Sequence, residues 1–322
     1  MPIASLSIDL DNMWSYMKTH GDPGWESFTS YLDVLVPRVL DFLRARNLTI
    51  TFFVVGQDAA LDKNHDLLRS IAAAGQEIGN HSFRHEPWLH LYSEIEIDSD
   101  LTLAEEHIER ATGARPVGFR APGYSLTPVI LDVLSRKGYQ YDASTLPSLI
   151  APLARAYYFT TARFSPEQRR QRKILGGRLR DGLRPIRPYR WQTNEGAVIE
   201  IPVTTMPIFK VPIHVSYLMG LSILSPALAL GYFSAALRLC RLTGTQPSLV
   251  LHPTDFLGCD DTEDLPFIPG MNFPGERKLE LVSEVLRRLS NQFTVVTVER
   301  HAQEAARVCN LPVMQPRFEQ AS

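Results

Sequence analysis

The chain has 322 residues, 44% of them hydrophobic and 21% charged, with a formal net charge of −2. That length suits one large α/β domain or two smaller ones, and the near-neutral charge argues against a nucleic-acid partner. Cys240, Cys259 and Cys309 lie far apart, which suggests neither a disulfide framework nor a cysteine metal site and fits a reducing compartment.

The chain enters the apolar run 3–8 with no basic segment ahead of it, so a first core strand and a cytoplasmic location are expected, with no signal peptide. Phe28, Leu32, Leu35, Val36, Val39 and Leu43 recur at helical spacing, and the β-rich stretch 48–55 follows, which reads as the start of a βαβ unit. Next come a helix over 61–74 ended by Gly75, a strand over 77–80, and a helix over 93–111 stopped near Gly113. The pattern predicts further strands at 117–119, 139–142, 198–203, 248–251 and 293–296, and helices at 128–137, 276–289 and 299–308. Strands alternating with helices imply a parallel sheet, open or closed into a barrel, with active residues at the carboxyl ends of its strands.

Two stretches break the alternation. From Arg155 to Arg190 there are 11 Lys or Arg against only Glu167 and Asp181, interleaved with Tyr157, Tyr158, Phe159, Phe164 and Tyr189. From Val211 to Leu237 there is no Lys, Arg, Asp or Glu. The second run is long enough to raise a transmembrane helix. Pro226 and four serines weigh against it, and a single crossing would put His252 on the opposite side from Asp11. A buried or interfacial helix pair is expected instead.

The chemistry-bearing residues sit where strands end. Asp9 and Asp11 close the first strand; two residues apart on a strand, they face one way. His81 and His85 follow the strand at 77–80, at a spacing that puts two imidazoles on one face of a helical turn. A carboxylate and two imidazoles can hold a divalent metal with an open position, leaving the second carboxylate free to take a proton. Each pair alone has a plain reading, as turn-forming acids or surface histidines. Arg120 ends another strand in Phe119-Arg120-Ala121-Pro122-Gly123, and His252 ends Leu249-Val250-Leu251.

In that order these segments resemble the polysaccharide deacetylase family, the NodB-like carbohydrate esterases. Their motifs are an Asp pair, His-Ser/Thr-x-x-His, Arg-x-Pro, an Asp-containing strand end and an apolar-x-His. The resemblance covers roughly residues 3–145 and 196–310 and departs from the commonest pattern at Asp9-Leu10-Asp11, where Leu10 separates the acids, and at Val250, where leucine is usual. It implies a distorted (β/α) barrel in one catalytic domain over 1–322, carrying a basic and apolar insertion at about 151–245. It further implies Asp9 as catalytic base, Asp11, His81 and His85 as metal ligands, and Arg120 as the partner that orients Asp9. Asp142 is similar to the fourth-motif acid and His252 to the general acid. Zinc suits the ligand set, and cobalt, nickel, manganese or iron would also bind it.

Arg120 also has a plain reading as a structural ion-pair partner, and Asp142 as a helix cap. His65, His90, His107, His214 and His301 have no motif context and read as ordinary histidines; His20, Trp14, Trp25 and Trp88 read as cleft or packing residues. A cytoplasmic location turns the substrate expectation away from extracellular polymers. The basic, aromatic-rich insert and the apolar run suggest an anionic lipid surface, and hence removal of acetyl or formyl from a lipid-linked amino sugar. Segments 200–204 and 252–259 look distantly like the branch that deformylates a lipid-linked aminoarabinose. A cyclic amide or imide hydrolase of the allantoinase-like branch and a non-catalytic glycan-binding module are the alternatives, and a mobile solvated loop is the plain reading of the insert.

Overall fold

The protein is described by a computed structural model covering residues 1–150, 182–308 and 310–316. Its centre is a sheet of parallel strands β1 (Ile3–Leu10), β2 (Thr51–Val54), β3 (Glu77–Asn80), β4 (Gly118–Phe119), β5 (Tyr141–Asp142), β7 (Ala197–Glu200) and β8 (Ser248–Leu251). The order is β8-β1-β2-β3-β4-β5-β7, with β6 (Tyr189–Gln192) antiparallel to β7, β10 (Val313–Met314) beyond it, and β9 (Thr294–Val296) against the start of β1. The strand ladder does not close. Beyond β7, Thr204 N–H donates to Ser248 O at 2.8 Å and Thr204 Oγ1 accepts from Ser248 N–H at 2.8 Å. These two bonds bring the last inner segment against β8, at the far end of the ladder.

The two faces of β1 show why this sheet positions a site. Ala4, Leu6, Ile8 and Leu10 join the main apolar core, together with Leu35, Val36 and Val39 of α2 (Leu32–Arg44). Ser5, Ser7 and Asp9 point the other way and are also buried, which is tolerable only because each finds a polar partner. Ser5 meets His301 Nδ1 at 2.9 Å, Ser7 Oγ donates to Leu249 O, and Asp9 pairs with Arg120. An apolar group of Phe53, Tyr141, Ile201, Val298, Ala302 and Ala305 fills the rest of that inner face.

The remaining helices are α1 (Met13–His20), α3 (Gly56–Ala59), α4 (His65–Ala73), α5 (Glu94–Thr112) and α6 (Pro128–Arg136), then α7 (Val215–Leu224), α8 (Pro226–Thr243), α9 (Gly275–Ser290) and α10 (Val298–Ala306). The expected strand at 77–80 and helix at 128–137 match closely, whereas the helix expected over 61–74 divides into α3, a turn and α4. The uncharged run folds as the helix pair α7 and α8, broken at Pro226 and packed on α9. Among the described residues, no helix is long and apolar enough to cross a membrane. Most of the basic stretch, 151–181, lies outside the described residues.

Candidate active site

Asp9 and Asp11 leave the end of β1 beside β2 and β8, and both side chains reach one site as the two-residue spacing predicts. The histidines arrive differently from the expected helical turn. Residues 81–85 form an irregular loop in which Ser82 (φ 62°) and His85 (φ 50°) take left-handed backbone conformations. Such conformations are costly for non-glycine residues and persist where surroundings impose them. Here Asn80 Oδ1 accepts from Ser82 N–H at 2.8 Å, and the buried Asp100 carboxylate of α5 accepts from Phe83 N–H at 2.7 Å and Arg84 N–H at 3.3 Å. Asn80 and Asp100 were not singled out by the sequence, since nothing in a lone acid on a helix announces a loop anchor.

The result is a convergent donor set. His85 Nε2 and His81 Nε2 lie 2.9 and 3.3 Å from Asp11 Oδ1, and one ligand atom from each of the three residues falls within 4.8 Å of the others. Asp11 Oδ1 is buried and has no well-directed hydrogen bond. Burial opposes ionisation of Asp11, yet the adjoining His85 and His81 hold its carboxyl far below the usual range. His81 Nδ1 donates to Arg120 O at 2.7 Å, which fixes the tautomer and aims the Nε2 lone pair at the site. An ionised carboxylate facing two imidazole nitrogens, with an oriented second shell, fits a divalent metal.

Around these ligands the remaining groups divide by what they touch. Arg120 is fully buried; its Nη1 donates to Asp9 Oδ1 at 2.6 Å and Ser7 Oγ at 2.7 Å, and its Nε donates to Ala143 O at 3.0 Å. Its guanidinium lies 4.3 Å from the Phe53 ring centroid, and Phe53 is the register partner of Asp9. Burial opposes the Arg120 charge, and Asp9 more than restores it. His252 sits across Asp9, with Nε2 at 3.9 Å from Oδ2, and its side chain keeps 20% exposure. Among these groups His252 is the most exposed, whereas Asp9, Asp11, His81, His85 and Arg120 are nearly closed off.

Asp142 is placed one layer deeper. It is fully buried and takes a 2.5 Å hydrogen bond from Ser144 Oγ, which in turn accepts from Ala121 N–H. Beside it Glu200 accepts from Thr145 N–H and Trp191 Nε1–H. Burial and the neighbouring Asp142 push the Glu200 carboxyl well up. Asp142 thus supports the Arg120 loop and does not reach the cleft. Trp14 packs edge-on against His85, with ring centroids 6.5 Å apart, and donates to buried Asp58 at 3.0 Å. His301 is a core histidine held neutral by burial, and His20 stacks on Phe267. His214, which has no motif, proves to lie beside His252 with ring centroids 6.2 Å apart.

A parallel α/β sheet thus carries at its strand ends a carboxylate and two imidazoles that could hold a metal ion, with an Asp–Arg pair beside them. The polysaccharide deacetylase family profile matches residues 22–141. A peptidoglycan deacetylase of Helicobacter pylori is 28% identical over 154 residues, 47% of this chain and 52% of that protein. A Bacillus cereus peptidoglycan-N-acetylglucosamine deacetylase is 35% identical over 86 residues, 27% of this chain and 30% of that one. The chain therefore spans about half or less of the curated relatives it matches. A crystal structure from Mycobacterium smegmatis assigned to the polysaccharide deacetylases superposes with a TM-score of 0.61 at 21% identity, covering 100% of this chain and 99% of that one, which establishes the common fold. Over residues 22–141 the chain is similar to the polysaccharide deacetylases, in line with the resemblance read from its ordered motifs.

Proposed function

We propose that the protein is a metal-dependent amide hydrolase that removes an acetyl or formyl group from an amino sugar, and that the sugar is lipid-linked and met at the cytoplasmic face of a membrane. The observation that carries the reaction class is the placement of Asp9 and His252, 3.9 Å apart, next to the Asp11, His81 and His85 donor set. A divalent ion held by those three residues, zinc or another of the first-row metals, would polarise the acyl carbonyl and acidify water. Asp9, paired with and aimed by Arg120, accepts the proton of the attacking water. Protonated His252 gives a proton to the departing nitrogen, since an amine leaves poorly until protonated.

The lipid part of the reading is supported by exposed apolar side chains between residues 208 and 228. Ile208 is 74% exposed and Leu224, at the α7–α8 turn, 78%, with Phe209, Ile223 and Leu228 also exposed. Exposed apolar side chains of this kind suit an acyl boundary. A peptidoglycan strand is the second reading, favoured by the substrates named for the relatives.

The test has two arms. Purified protein is incubated with an N-acetylglucosamine tetramer and acetate release is followed. Lipid extracts of cells lacking the gene are then searched by mass spectrometry for a species heavier by about 42 or 28 mass units, the generic acetyl and formyl differences. Such a lipid supports the lipid-linked sugar. Acetate release with no altered lipid would transfer the assignment to a glycan polymer.

A further inference from the structure

Two residues that no motif marks hold the His252 ring in place. Asp255 lies in the turn Pro253–Asp255 directly after β8, and its Oδ2 accepts from the His252 backbone N–H at 2.8 Å. Ser216, in the first turn of α7, donates from Oγ to Asp255 Oδ1 at 3.1 Å, and the same Oγ stands 3.1 Å from His252 Nδ1. A hydroxyl has one proton. With that proton given to the carboxylate, the Ser216 oxygen is free to accept from an N–H on the ring nitrogen facing it.

We propose that Ser216 and Asp255 form a fixed strut that keeps a proton on His252 Nδ1 and turns His252 Nε2 toward Asp9, making Ser216 a positioning residue for protonation of the leaving nitrogen. The inference rests on the amide-hydrolase reading for its catalytic consequence, and on hydrogen-bond geometry alone for the orientation of the ring. In the step, Nε2–H is transferred to the amine nitrogen as the carbon–nitrogen bond breaks, its bonding pair staying with nitrogen. His252 is left neutral with Nδ1–H still donated to Ser216. No proton travels through Ser216.

The charges around the ring agree with this placement. Asp9 faces Nε2 and Asp255 stands behind Nδ1, so a positive ring is flanked by carboxylates on both sides. His214, the neighbouring imidazole, is pushed down to about 3 by burial first and then by His252 and Arg120, and so stays neutral at physiological pH. Behind Asp255 lies the fully buried Lys278, whose ammonium touches Met271 Sδ at 3.3 Å; burial pushes the Asp255 carboxyl up, and the charges of His252 and Lys278 oppose that shift. Helix α7 of the uncharged run is thereby built into the site through its first turn.

The experiment compares unmodified full-length, zinc-loaded protein with Ser216→Ala and with Ser216→Thr, which retains the hydroxyl. Long-range proton–nitrogen NMR of the imidazoles at a pH where His252 is neutral should show its proton on Nδ1 in the unmodified protein and in the threonine variant, and a mixture of tautomers in the alanine variant. In parallel, hydrolysis of the N-acetylglucosamine tetramer is compared with that of 4-nitrophenyl acetate, whose leaving group needs no proton. Ser216→Ala should lower kcat on the amide about 10- to 100-fold with little change in KM, the usual cost of removing an orienting partner, while leaving the ester within about threefold and being rescued by threonine. A proton on Nε2 in the unmodified protein, or equal losses on amide and ester, would overturn the proposal. If the unmodified protein does not cleave the amide but the tautomer pattern holds, the strut stands and the amide-hydrolase reading fails.

Discussion

Asp58 illustrates how a single buried group can tie a site to pH. Its Oδ1 accepts from Asn12 Nδ2 at 2.7 Å and Trp14 Nε1 at 3.0 Å, while Oδ2 is buried without a hydrogen bond. Burial raises its carboxyl to about 7, against the hydrogen bonds of Asn12 and Trp14. The sign follows from the linkage between proton binding and folding: the fold binds this proton more tightly than the unfolded chain does. The associated stability is fully present below the ordinary carboxyl range near 3.8 and is lost as pH rises through about 7. Asp58→Asn keeps the acceptor and supplies a donor in place of the stranded oxygen. It should flatten the dependence of chemical-denaturation stability on pH between about 4 and 7, with a gain at pH 8 of up to about 4 kcal/mol. An unchanged pH profile in the variant would show that Asp58 does not titrate there.

At the scale of elements, the site depends on close approach between neighbouring strands. Asp9, Phe53 and Gly79 are register partners across β1, β2 and β3 and so share a face. A Cβ at Gly79 would stand 2.6 Å from the Phe53 ring, the ring on which the Arg120 guanidinium lies. Gly79→Ala should therefore cost about 1–3 kcal/mol by overpacking, measured by denaturant unfolding, and should lower amide hydrolysis more than a distant substitution of equal stability cost. The elements that were legible in the sequence are those with strong period: 77–80, 128–137, 248–251 and 276–289 all fold as expected. α1 was missed because Met13–His20 mixes apolar and polar residues without a clear face, and is started by Asn12 capping Met13 N–H. β6 was missed because Tyr189–Gln192 is only one edge of a hairpin with β7, inside a stretch whose charges dominate the eye. His81 and His85 were legible by residue type as candidate ligands, whereas their loop geometry was not, since it is imposed by Asn80 and Asp100 through contacts that sequence spacing cannot show. Ser216 and Asp255 escaped for the same reason: a serine in an uncharged helix carries no local sign of the histidine it meets 36 residues away.

For the whole molecule, the arrangement joins a buried metal-type site to an apolar surface through one helix. α7 places Ser216 of its first turn beside His252 and ends at exposed Leu224, so contact at the tip and chemistry at the root belong to one element. If this tip meets a lipid surface, full-length protein should float with anionic vesicles at low salt, and the paired change Leu224→Asp with Leu228→Asp should abolish flotation while leaving hydrolysis of the soluble tetramer unchanged. Unmodified protein that stays in solution would rule out this surface as a membrane contact.

The central claim is that Asp11, His81 and His85 hold a catalytic metal, and metal stoichiometry tests it most directly. Elemental analysis of the purified, zinc-exposed and dialysed protein should find about one ion per chain, falling to near zero in His81→Ala and remaining near one in Ser216→Ala. No retained metal in the unmodified protein, or full retention in His81→Ala, would contradict the account.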